Sequence, residues 1–154
     1  MIKILFVCLG NICRSPMAEY VMKNLVKKEG LSDHCVIDSA ATCDDEIGNP
    51  VYPPARRMLN QHGIACDGHK AHQMQRSDYS HYDLLIGMED RNLVIMRRIC
   101  GGDPDKKIKR ILDYTDHHGN VADPYFTGDF EATWRDVNAG CRALLEELKK
   151  STLL

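Results

Sequence analysis

One thiol, one guanidinium and one carboxylate carry the chemistry that this sequence can do. Cys8 and Arg14 share the stretch Val7-Cys8-Leu9-Gly10-Asn11-Ile12-Cys13-Arg14-Ser15-Pro16, and Asp123 opens Asp123-Pro124-Tyr125. A thiol at a helix N-terminus beside a cation ionises at roughly pH 3.5–7.5 instead of about 8.5, so Cys8 reads as a thiolate nucleophile. Arg14 offers a planar fork of donors matched to two phosphate oxygens, a fit that lysine does not reproduce. Backbone N–H groups of the intervening loop can turn inward, where the positive end of the helix also points. Such a loop should hold a tetrahedral dianion, inorganic phosphate or another oxyanion included. No Gly-Lys-Ser/Thr follows, which excludes an ATP-binding P-loop and leaves covalent phosphoryl transfer to sulfur.

The elements that position these groups follow from the apolar pattern. Residues 2–7, Ile-Lys-Ile-Leu-Phe-Val, are short and rich in β-branched and aromatic side chains, as in a buried strand that delivers Cys8 at its end. Ser15 suits an N-cap and Pro16 a first helical position, and Ala18, Val21, Met22, Leu25 and Val26 then recur at helical spacing up to a stop at Gly30. Gly10 and Asn11 both tolerate the left-handed angles that a curled loop requires. Further strands are expected over 36–41, 83–88 and 107–112, the last at a sheet edge because of its lysines and arginine. Helices are expected around Ala55-Met58-Leu59, over Leu93 to Ile99 with Gly101-Gly102 as stop, and along Trp134 to Leu148. Residues 64–82 read as loop plus a short helical turn, and 113–129 as mostly loop, long enough to be functional. Alternating strands and helices predict an α/β doubly wound parallel sheet in one domain over 1–154, with its site beyond the strand C-termini.

Composition narrows the function classes. The 154 residues suffice for one domain, and the net charge of −2 with no basic tract gives no footprint for nucleic acid. Seven cysteines, an odd number without framework spacing, exclude a fully paired disulfide scaffold. No Cys-x2-Cys pair points to zinc, and neither a metal nor a cofactor is expected. The apolar start is too short for a membrane span and lacks a signal-peptide cleavage pattern, so a cytoplasmic enzyme is expected, where a thiolate survives.

The loop string Val7 to Pro16, its N-terminal position, the chain length and Asp123-Pro124-Tyr125 together resemble the low-molecular-weight protein tyrosine phosphatases over nearly the whole chain. The resemblance implies a four-stranded parallel sheet of order 2-1-3-4, which agrees with the strands counted above. It also implies hydrolysis of phosphotyrosine and aryl phosphate monoesters through a cysteinyl-phosphate. Cys8 would be the nucleophile and Arg14 the clamp on phosphate and transition state. Leu9, Gly10, Asn11, Ile12, Cys13 and Ser15 would complete the binding loop, and Tyr125 would wall the ring pocket. Asp123 matches the family's acid, which protonates a leaving phenolate, a contribution worth roughly 10²–10⁴ in rate; read alone, Asp-Pro is a turn former first. Ser15, besides its cap role, would donate to the nucleophile, and Asn11, Ser39 and His69 match the network supporting the loop.

Where the family usually has a first aromatic wall, this chain has Asp45, inside Asp44-Asp45-Glu46, which exchanges stacking for repulsion of acidic substrates; Tyr52 is a candidate substitute. Cys13 is either a small packing group or the partner of a reversible disulfide with Cys8 that would make the enzyme redox-sensitive. Tyr114 and Tyr125 are conceivable kinase targets. Two other activities stay in view. A phosphoarginine phosphatase of this fold tends to have threonine at the position of Ile12. A phosphoprotein-binding module without turnover would need neither nucleophile nor acid.

Overall fold

The run Ile2–Cys8 forms β1, and every residue in it except Lys3 is buried, because both faces of this strand are covered. A computed structural model describes residues 1–151 and 153–154 of the chain. After β1 come α1 (Arg14–Lys28), β2 (Cys35–Ala41), α2 (Pro53–Gln61), α3 (Asp78–His81), β3 (Leu84–Gly87), α4 (Asp90–Cys100), β4 (Ile108–Arg110), α5 (Pro124–Thr127) and α6 (Phe130–Lys150). The four strands form one parallel sheet, as the sequence pattern predicts, of order β2-β1-β3-β4, as the resemblance implies. Pairing of Cys8 with Ala41 and of Val7 with Gly87 brings three strand C-termini to one edge, beneath the loop that follows β1.

Alternation along β1 divides its side chains between two cores. Ile4 and Phe6 pack with Met17, Val21 and Met22 of α1 and with Val137, Cys141 and Leu144 of α6. Leu5 and Val7 pack on the other face with Leu85, Leu93 and Met96 under α4. Each such side chain, wholly buried, stabilises the fold by about 1.5–3 kcal/mol. Close contact is enforced at Gly140, where a Cβ would stand 2.6 Å from Ile111 Cγ1, so α6 lies directly on the turn that follows β4.

Three local expectations are corrected. The fourth strand is shorter than 107–112: Ile111 and Leu112 are both buried, which alternation in a half-covered edge strand does not provide, and residues 111–114 form a 3-10 turn instead. The first helix begins at Arg14, one position before Ser15, and its N-cap position is Cys13 without a side-chain cap; the Ser15 hydroxyl is engaged elsewhere. In the loop only Asn11 takes the left-handed conformation, at φ 61°, whereas Gly10 does not.

Candidate active site

Cys8 stands at the C-terminal end of β1, and the chain curls through residues 9–13 into α1, so thiol and helix start share one concavity. Four of the loop carbonyls are taken from outside. Cys8 O accepts from Thr42 N–H at 2.9 Å, Leu9 O from Cys43 N–H at 3.2 Å, and Ile12 O from Tyr52 N–H at 2.8 Å. Asn11 O accepts from His69 Nε2 at 2.8 Å. The peptides are trans, and in a trans peptide N–H and C=O point opposite ways, so the N–H groups of Leu9, Gly10, Ile12 and Cys13 turn to the inner side of the curl. That arrangement is an anion nest at the start of a helix.

Asn11 sets the curl. A non-glycine residue at positive φ costs of order 1–3 kcal/mol, and it persists only where its surroundings hold it. Here the side-chain Nδ2 donates to Ser15 Oγ at 2.8 Å and to Ser39 Oγ at 2.9 Å, and Oδ1 accepts from His72 N–H at 3.2 Å. His69, itself buried, adds the bond to Asn11 O and packs edge-on to Tyr20. Ser15 Oγ lies 3.0 Å from Cys8 Sγ, and Ser15 N–H points at the same sulfur at 3.4 Å. Ser15, Asn11, Ser39 and His69 are thus brought together around the loop.

Arg14 is 2 % exposed, an unusual position for a guanidinium, and three groups hold it. Its NH1 donates to Glu89 and, at 2.9 Å, to Val121 O; its NH2 donates to Asp123 Oδ2 at 3.2 Å. Burial opposes its charge, but the neighbouring Cys8, Asp123 and Glu89 outweigh that cost and raise its pKa further. Asp123 is the N-cap of α5, with Oδ1 accepting from Tyr125 N–H at 3.1 Å. It therefore does form the Asp-Pro turn, and it also lines the cavity beside Cys8. Burial first, then the negative charges of Cys8 and Asp123, push the Cys13 thiol far up.

The cavity has a volume of about 260 Å³, with Cys8, Ile12 and Arg14 in its wall and Asp45, Glu46, Tyr125 and Phe126 among its other lining groups. Tyr125 lines the cavity from the start of α5. Tyr52 is not a lining residue; its ring packs behind Tyr125 at 5.4 Å and beside Phe130 at 6.1 Å. Phe126, 76 % exposed and edge-on to Tyr125, is the second aromatic group in the lining, and Asp45 lines the cavity as well. The sequence does not single out Glu89: it precedes α4, where it caps the helix and Asn92 returns the bond in a capping box. Nothing in that pattern announces an Arg14 partner. Among the described residues no three His, Cys, Asp or Glu side chains come together as a metal set, and no helix is long and apolar enough to cross a membrane.

The family model of low molecular weight phosphotyrosine protein phosphatase matches residues 3–153. The chain is 40% identical over 156 residues to the low molecular weight protein-tyrosine-phosphatase YfkJ of Bacillus subtilis, with 100% of each covered. It is 37% identical over 153 residues to the low molecular weight phosphotyrosine protein phosphatase of Sus scrofa, with 95% of each covered. The crystal structure of YfkJ from Bacillus subtilis superimposes with a TM-score of 0.95, covering 98% of this chain and 96% of that one.

Proposed function

The chain belongs to the low molecular weight phosphotyrosine protein phosphatases, and we propose that its hydrolysis of phosphotyrosine monoesters runs through Cys8, Arg14 and Asp123. One domain spanning 1–154 carries the reaction, in the cytoplasm, on phosphotyrosine-containing proteins. The observation that carries this reading is the convergence on one small cavity of a thiol at a helix start, a buried arginine and a half-buried aspartate.

In the first step Cys8 Sγ forms a bond to phosphorus as the bond to the tyrosyl oxygen breaks, and Asp123, protonated, gives its proton to the leaving phenolate. Arg14 and the inward N–H groups of Leu9, Gly10, Ile12 and Cys13 hold the equatorial oxygens, whose charge they meet without reorganising. The Arg14 contact to Asp123 gives way as those oxygens arrive, which frees the carboxyl for the leaving group. In the second step Asp123, now a carboxylate, takes a proton from water; the water oxygen bonds to phosphorus, the S–P bond breaks, and thiolate and phosphate are released. Free phosphate and other oxyanions then compete for the same nest.

Ile12 in the cavity wall favours the tyrosyl ester over phosphoarginine, because a branched apolar group crowds a flat guanidinium. Cys13 stays a thiol beside the nucleophile and can condense with a peroxide-oxidised Cys8 into a reversible disulfide. The test is turnover of para-nitrophenyl phosphate and of phosphotyrosine, phosphoserine and phosphoarginine peptides by wild type and Cys8→Ser, without added metal. The expected result is hydrolysis of the phenolic esters by wild type alone. Tight phosphopeptide binding with no turnover would replace this reading with a binding module.

A further inference from the structure

One buried charge is unused by this mechanism. Glu19, in α1, is 6 % exposed, and its Oε1 accepts from Ser39 Oγ at 2.6 Å while Oε2 accepts from Lys23 Nζ at 2.6 Å. A serine hydroxyl has one proton. With that proton given to Glu19, Ser39 Oγ can only accept from Asn11 Nδ2, 2.9 Å away. The Asn11 amide is oriented independently, because a backbone N–H can only donate and His72 N–H meets Oδ1 at 3.2 Å. Nδ2 therefore donates one proton to Ser39 and the other to Ser15, so the Ser15 proton cannot return to Asn11. Two acceptors are left for it, Ala40 O at 3.4 Å and Cys8 Sγ at 3.0 Å, and the nearer is the sulfur.

We propose that Glu19 is a positioning residue: as the terminal acceptor of a one-way hydrogen-bond relay through Ser39, Asn11 and Ser15, it aims the Ser15 hydroxyl proton at the Cys8 thiolate. The proposal rests on Cys8 being the nucleophile. Without an acceptor at position 19, Ser39 turns its proton against the Asn11 amide. The amide is then held by the His72 N–H alone, its grip on Ser15 weakens, and the Ser15 proton is free to turn to Ala40 O in place of the sulfur. The other charged or titratable groups around the two ends stay in place. Arg14 from α1, Cys13 and Glu46 from the two loops, and Asp123 before α5 surround Cys8; Lys23, Tyr20 and Tyr82 surround Glu19.

The experiment is the pH dependence of kcat/KM for para-nitrophenyl phosphate, together with the rate of Cys8 alkylation by iodoacetamide. Both are measured for Glu19→Leu and Glu19→Gln, each with Ser15 intact and as Ser15→Ala. Glu19→Leu should move the acid limb to higher pH and slow alkylation below neutral pH by about tenfold, the equivalent of one pH unit. Glu19→Gln keeps a carbonyl acceptor for Ser39 and should restore most of the wild-type profile. In the Ser15→Ala background, Glu19→Leu should shift nothing further. A uniform loss at every pH with the limb unmoved overturns the relay, as does an equal shift in the Ser15→Ala background. If Glu19→Leu does not fold, Ser39→Ala breaks the same relay one link along, and an unmoved limb there overturns it equally. Turnover retained by Cys8→Ser would instead overturn the nucleophile reading beneath it.

Discussion

Replacing Glu89 separates two roles that the structure gives to one carboxylate. Its side chain, 25 % exposed, pairs with the buried Arg14, and it also caps α4 by accepting from the N3 backbone. A hydrogen bond to a charged group contributes about 1.5–3 kcal/mol, and an N-cap about 1 kcal/mol. Arg14 retains Val121 O and Asp123 as partners, so the 3–5 kcal/mol cost of an orphaned buried charge is not reached. Glu89→Ala loses both contributions, about 2.5–4 kcal/mol in all. Glu89→Asn keeps a cap and loses only the pair, about 1.5–3 kcal/mol. Urea unfolding of the two variants should therefore differ by about 1 kcal/mol, with Asn the more stable. In activity the two should agree, because both remove the Glu89 bond to NH1 of Arg14 and leave it only Val121 O. A fall of at least tenfold in kcat/KM for para-nitrophenyl phosphate, about 1.4 kcal/mol of transition-state stabilisation, is expected in each. Equal stabilities, or wild-type kcat/KM in either variant, would refute the division of roles.

Asp123→Asn should lower kcat on phosphotyrosine peptides by roughly 10²–10⁴ and cost less on para-nitrophenyl phosphate, whose leaving group needs less protonation; equal losses on both would remove Asp123 as the acid. Asp45 and Glu46 line the cavity, so peptides with lysine or arginine beside the phosphotyrosine should be hydrolysed faster than those with acidic neighbours. Asp45→Asn combined with Glu46→Gln should flatten that preference, and a preference unchanged by the pair would place its origin elsewhere. Burial, reinforced by Glu19, pushes the Tyr20 phenol up to about 12, and burial raises Tyr82 and Tyr114 too. Groups that resist ionisation in the folded state stabilise it fully below their unfolded pKa of about 10, and that stability is lost as pH rises through the folded values. Thermal stability should accordingly fall between about pH 10 and 12, and a flat profile there would contradict the burial of these phenols.

Legibility in the sequence followed the range of the interactions involved. The strand carrying Cys8 and the helix carrying Arg14 were readable because apolar spacing and the Cys-to-Arg loop are local patterns, and strand alternation with helices was enough for the parallel sheet. The Asp123 carboxylate was readable as a motif, although its bond to Arg14 spans 109 positions. Glu89 and Glu19 were not readable as site residues. One looks like a helix cap and the other like half of an i,i+4 pair with Lys23, and their second contacts arise only when α4 and β2 are brought against the loop. Ser15 misled as a cap for a related reason: its local preference yielded to the bonds with Cys8 and Asn11. At the fourth strand, burial of both Ile111 and Leu112 outweighed their strand propensity.

Rapid mixing of the enzyme with a phosphotyrosine peptide, acid quenching and mass analysis of the peptide containing Cys8 test the covalent mechanism most directly. The account predicts one phosphoryl group on Cys8 in the wild type, a longer-lived adduct in Asp123→Asn because the base that activates water is gone, and none in Cys8→Ser. Turnover with no adduct on Cys8 in either the wild type or Asp123→Asn, or an adduct on a different residue, would contradict it.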